Sequence, residues 1–174
     1  MDDDEYRRGK LTCHKAYDEA TAILTGDALL TASFEFLSHI ETLSAEKRLQ
    51  LIQLISHAAG SAGMVGGQYL DLSSENRTIS LHELETLHRK KTGALIKASI
   101  LAGAIAGDTN QSTYDRLSVY ADNIGLAFQI KDDILDITGT QEELGKNPGS
   151  DLLQEKSTYI SLLGLEDSIG KLDE

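Results

Sequence analysis

The chain has 174 residues, with 28 Asp and Glu against 16 Lys and Arg, a formal charge of -12, one Cys, one Pro and no Trp. The acidic excess argues against general attraction to nucleic acid or anionic lipid, and one cysteine excludes an internal disulfide or a cysteine zinc site, as in a cytoplasmic chain. The length and a 40% share of hydrophobic residues predict one soluble domain with no secretory leader and no membrane insertion, since no apolar run reads as long enough to cross a bilayer; cations remain plausible partners.

Nothing before Pro148 carries the strongest helix breaker, so long helices are permitted. Ile23, Ala28, Leu30, Phe34 and Leu37 recur at helical spacing and predict an amphipathic helix over 18–40. Ser44, with Glu46 in the first turn, opens a second helix that runs on through GSAGMVGGQYLDL. Gly60, Gly63, Gly66 and Gly67 each cost roughly 1 kcal/mol against Ala inside that helix, and close approach of another helix or a ligand would explain them. Ser80 and Glu83 form a capping box for a helix through HELETLHRKK that continues past Thr92 and Gly93 as ALIKASILAGAIAG. From about Gln111, the pattern Tyr114, Leu117, Tyr120, Ile124, Phe128, Leu135 predicts one long helix ending near Thr138. Thr140 with Glu143 forms a second capping box for a single turn closed by Gly145, GKNPGSDLLQEKS reads as a loop, and a last helix begins near Ser157. No strand pattern of useful length occurs. The prediction is all-α, a single helical domain over residues 1–174.

Three acid clusters stand out. Asp132, Asp133 and Asp136 lie in FQIKDDILD with Gln129 one turn earlier, and at one hundred degrees per residue Asp132 and Asp136 stack on one face. Like charges at that spacing repel, and the apolar neighbours Phe128, Ile130, Ile134 and Leu135 predict burial, so a cation should offset the cost. Hard divalent ions fit carboxylate oxygens, Mg²⁺ above all, because no His or Cys lies nearby. The second cluster is MDDDEYRRGK, where acids precede Arg7 and Arg8; guanidinium forks bind phosphate oxygens that a metal also neutralises. The third is Gln68 with Asp71 at the end of the glycine-rich segment. The five histidines, His14, His39, His57, His82 and His88, lack metal-ligand spacing and read as surface or helix residues, and Cys13 as inert.

In order along the chain, DDDEYRRG, GGQYLDL, HRKKTGALI, GLAFQIKDDILD, TGTQEELGK and DLLQEKSTY resemble the trans-polyprenyl diphosphate synthase family, and within it the bacterial farnesyl diphosphate synthases, or geranyltranstransferases. The resemblance implies a helical bundle of the isoprenoid synthase type, a Mg²⁺-dependent prenyltransferase condensing isopentenyl diphosphate with an allylic diphosphate, dimethylallyl or geranyl, and a homodimer. It assigns Asp132, Asp133 and Asp136 to the second aspartate-rich metal motif, Asp2 to the last aspartate of the first, and Asp71 to an added metal contact. Arg7 and Arg8 resemble the arginines for the two diphosphates; Lys91, Lys146 and Lys156 resemble the lysines that close on them. Thr92, Gln68 and Gln129 are implied polar partners near the reacting carbons, with Phe128 and Tyr69 as pocket walls. Family members carry further helices and two aspartates ahead of the position of Asp2, so the resemblance also implies a bundle incomplete at the N-terminus and an impaired site. A non-catalytic helical subunit or remnant is the alternative. A terpene cyclase or squalene synthase relative is a third reading, disfavoured by the paired arginine and the later lysines.

Overall fold

The computed structural model describes residues 3–75, 77–140 and 156–173. Two short antiparallel strands, β1 (Tyr6–Arg7) and β2 (Lys10–Leu11), pair Tyr6 with Leu11 and Arg7 with Lys10. Arg8 and Gly9 join them at φ 53° and 73°, the successive positive values that a two-residue hairpin turn requires. Helices follow: α1 (Cys13–Ala16), α2 (Glu19–Ser38), α3 (Ala45–Ala59), α4 (Met64–Ser74) and α5 (Leu81–His88). A five-residue π turn, Arg89–Gly93, joins α5 to α6 (Ala94–Ala106); then come α7 (Gln111–Thr138), α8 (Tyr159–Leu163) and α9 (Leu165–Asp173).

The predicted caps at Ser44 and Ser80 operate, and Asp18 adds one that the sequence reading does not include. Asp18, Ser44 and Ser80 accept from the amides of Thr21, Lys47 and Glu83, and Ser80 with Glu83 completes the capping box. The helix expected from Ser44 through Leu72 is instead two. Gly60 closes α3, and a side chain at Gly63 or Gly66 would collide with the backbone of Ala58 or Ser61, so these glycines permit a tight break. The last helix begins at Thr158, which caps α8, and Gly164 at φ 83° separates α8 from α9. The expected capping box of Thr140 with Glu143, its closing Gly145 and most of the expected loop lie outside the described residues.

Two apolar faces differ from expectation. No residue of α2 is buried: Ile23 is 62% and Leu30 45% exposed, Ala28 is exposed, and only Phe34 and Leu37 of the predicted stripe are half-covered. At 20 residues with a hydropathy of 1.2, α2 is also long and apolar enough to cross a membrane by length and composition, contrary to the sequence reading. Its acids, Glu19, Asp27 and Glu35, are too sparse to interrupt the apolar runs between them. On α7 the buried face is Ala121, Gly125, Ile130 and Ile134, whereas Tyr120, Ile124 and Phe128 are exposed. The π turn dictates this choice: a Cβ on Gly125 would lie 2.8 Å from the Gly93 Cα, so only a small residue fits where the two backbones meet. Behind that contact, Ile79, Leu84, Leu87, Ile130, Ile134 and Tyr159 form the apolar core, drawn from α5, α7 and α8 and the segment before α5.

Candidate active site

The π turn is the centre of the site. Inserting one extra residue per turn into the α5–α6 rod locally widens the helix and re-aims its side chains. Lys91 and Thr92 both sit in that turn. The turn is held on one side by α4, where a Cβ at Gly67 would collide with the Lys91 backbone nitrogen, and on the other by Gly125 of α7. Close approach of another helix, one of the two reasons offered for the glycines, thus holds for Gly67.

From the turn, Lys91 Nζ reaches Asp71 Oδ2 on α4 at 2.6 Å. Thr92 Oγ1 donates to Gln129 Oε1 on α7 at 3.1 Å, and Gln129 Nε2 donates to Asp133 Oδ1 at 3.0 Å. The other oxygen of Asp133 accepts from the Tyr159 backbone N–H at 2.8 Å. Five of the predicted residues therefore fall into two side-chain hydrogen-bonded sets, Asp71 with Lys91 and Thr92 with Gln129 and Asp133, which meet at the π turn, with Gln68 one turn before Asp71.

The three α7 acids differ in environment. Asp133 and Asp136 are 3% and 2% exposed, matching the predicted burial, while Asp132 is half-buried and, among the described residues, accepts no hydrogen bond. Mg²⁺ keeps several waters and binds through one or two carboxylates plus substrate phosphate oxygens, so a single accessible carboxylate backed by fixed neighbours suits it without an all-protein cage. Among the described residues no three His, Cys, Asp or Glu side chains form such a cage.

Other predicted residues stand apart. Arg7 and Arg8 lie on the exposed β1–β2 hairpin and, among the described residues, bond to none of the α7 acids. Their neighbour Asp3 pairs with His14 at 3.0 Å and Lys15 at 3.3 Å; its carboxyl is held below the usual range by the Lys15 ammonium, then by His14. Tyr69 and Phe128, on the two helices flanking the π turn, are 70% and 58% exposed, so the expected pocket walls face open space. Lys156 is half-buried on the segment leading into α8, whereas Asp2 and Lys146 lie outside the described residues.

Two residues near the site were not anticipated. His88, expected at the surface or simply on a helix, is 6% exposed, and its ring lies 5.5 Å from that of Tyr159, which is fully buried. Burial pushes the imidazole down to about 4. Helical periodicity places His88 on the same face as Leu84 and Leu87 neighbours, a signal that the polar residue type obscured.

Comparison with known proteins identifies the family of the chain. The sequence profile of the family described as polyprenyl synthetase matches residues 1–172. The chain is 55% identical over 168 residues to a farnesyl diphosphate synthase of Micrococcus luteus, covering 97% of this chain and 57% of that protein. It is 50% identical over 175 residues to the Bacillus subtilis farnesyl diphosphate synthase, covering 99% and 59% respectively. A crystal structure of a Helicobacter pylori geranyltransferase, complexed with magnesium and isoprenyl diphosphate, superposes with a TM-score of 0.92 at 39% identity, over 99% of this chain and 56% of that one. The chain thus spans less than two thirds of the length of these relatives, and over that span it belongs to the polyprenyl synthetase family.

Proposed function

We propose that this chain carries the diphosphate- and metal-binding part of a prenyltransferase that joins isopentenyl diphosphate to an allylic diphosphate, with farnesyl diphosphate as the product class. The observation that carries the reading is the linked set around the π turn: Lys91 paired with Asp71, and Thr92, Gln129 and Asp133 in one hydrogen-bonded chain beside Asp132, whose carboxylate accepts no hydrogen bond among the described residues. Names of relatives at 50–55% identity, and a neighbour holding magnesium and isoprenyl diphosphate, support it.

In this reading Asp132 would offer oxygens to Mg²⁺, with Asp136 one helical turn later on α7, and Asp71 on α4 and Asp2 as further metal contacts. Bound Mg²⁺ would supply charge neutralisation for the departing pyrophosphate. Asp133, with both oxygens committed, holds Gln129 and α8 in place. Lys91 presents an ammonium to a diphosphate oxygen when Asp71 releases it, while Arg7, Arg8, Lys146 and Lys156 are further cations for the two substrates. Gln129 and Thr92 orient one another, and through them the polar edge of the space where carbon–carbon bond formation would occur. Ionisation of the allylic carbon–oxygen bond leaves an allylic cation, the isopentenyl double bond attacks it, and the released pyrophosphate takes the proton. No side-chain nucleophile is needed.

The open faces of Tyr69 and Phe128 favour a site that the chain does not enclose, so the reading assigns it low turnover by itself. Incubation with Mg²⁺, isopentenyl diphosphate and radiolabelled geranyl diphosphate tests this: farnesyl diphosphate above the background without enzyme supports catalysis, and its absence leaves the helical-subunit reading for this chain. The largely exposed α2, with no buried residue, further supports assembly as a homodimer, with that helix as the joining face.

A further inference from the structure

The hydrogen bonds at the site form a circuit with one joint of a different kind. From Asp133 the chain of contacts runs to Gln129, to Thr92 and along the π-turn backbone to His88; in the other direction it runs to the Tyr159 amide. His88 and Tyr159 close it by ring packing alone, with centroids 5.5 Å apart at 43°. Among the described residues, the buried His88 Nδ1 and the Tyr159 hydroxyl have no hydrogen-bond partners. Unpaired buried polar atoms cost stability, so their directional bonds do not fix these rings; shape does.

The Tyr159 amide is the first of α8, one of the orphan donors that a helix start must satisfy, and Asp133 satisfies it. Where the Tyr159 ring sits therefore decides where that N–H points. Three residues earlier on the same segment lies Lys156, and the Ser157 hydroxyl ties it to the Arg77 carbonyl at 3.2 Å.

We propose that His88 and Tyr159 are positioning residues: their ring contact clamps the start of α8 against the π turn, and so holds the Asp133 carboxylate in register with Lys91 and Thr92. The functional consequence rests on the reading of this site as a diphosphate and metal site, whereas the clamp itself does not. His88→Ala removes the packing partner but none of the hydrogen-bonding groups of the circuit. Tyr159→Phe keeps the ring and the amide and removes the unpaired hydroxyl.

Amide hydrogen exchange resolved by NMR on the full chain, without ligand, tests the clamp. In His88→Ala the Tyr159 amide exchanges about ten-fold faster or more, while the Ile130 amide in the middle of α7 changes less than about two-fold. Tyr159→Phe keeps the slow exchange. An unchanged Tyr159 amide in His88→Ala overturns the proposal, as does an equal rise at Tyr159 and Ile130, which is general loosening of the core. The consequence is read separately by titrating inorganic pyrophosphate with Mg²⁺: His88→Ala weakens binding about ten-fold, a loss typical of the outer partners that support a metal site, and an Asp133→Asn background abolishes that difference. The same loss in both backgrounds contradicts action through Asp133. No binding by the unaltered chain refutes the diphosphate reading, and the exchange result still decides the clamp.

Discussion

The Tyr159 backbone N–H donates to Asp133 Oδ2 at 2.8 Å, joining two residues 26 positions apart in the sequence. A buried carboxylate is thereby spent on a helix start. That placement makes Asp133 a strut between α7 and α8, whereas Asp132, one residue earlier, accepts no hydrogen bond among the described residues.

Gly67 is predicted to be intolerant of a methyl group. A Cβ there meets the Lys91 backbone, which cannot yield without moving the π turn. Gly67→Ala should destabilise the fold by about 2 kcal/mol, the usual cost of overpacking, despite Ala being the better helix former. Urea unfolding followed by circular dichroism measures it; a neutral or stabilised variant contradicts the close approach.

Stability should depend on pH through His88. Burial, the first cause, and the Lys91 ammonium hold the imidazole neutral against the pull of Asp71, lowering it from 6.5 to about 4. Between those values the unfolded chain binds the proton and the folded chain does not, so stability rises with pH across the window and is lost as pH falls through it. The full loss for one such group is about 3 kcal/mol. Unfolding of the native chain and His88→Gln at pH 7 and pH 4.5 checks the sign: the native chain should lose more stability on acidification, and parallel losses contradict it.

The uncovered α2 should drive self-association. Leu24 and Leu29 are each 67% exposed and Phe36 is 72% exposed on a helix with no buried residue. Sedimentation velocity is predicted to show a dimer or larger species that dissociates on Leu24→Glu with Leu29→Glu. A monomer at all concentrations contradicts both this and the homodimer proposal.

Much of this was legible because caps and periodicity are local. Ser44 and Ser80 announce their helices, and the α7 acids advertise themselves by charge among apolar neighbours. What could not be read depends on contacts between distant segments. The sequence of Ala45–Ser74 looks like one helix because the break at Gly60–Gly63 costs no hydrophobic period, and the π turn at Arg89–Gly93 leaves no compositional mark. The buried face of α7 escapes a periodicity count because large residues outweigh glycine in it, although Gly125 is where α7 meets the π turn. Arg7 and Arg8 were rightly placed beside acids in sequence, yet the hairpin does not bond them to the α7 acids.

The most direct test of the central claim is calorimetric titration of inorganic pyrophosphate into the chain with Mg²⁺ and with EDTA, repeated for Asp132→Ala. The account predicts binding that requires Mg²⁺ and weakens by about ten-fold or more in Asp132→Ala, with the thermal unfolding midpoint little changed because Asp132 bonds to no described residue. Binding that persists in EDTA, or that is unaltered by Asp132→Ala, contradicts it.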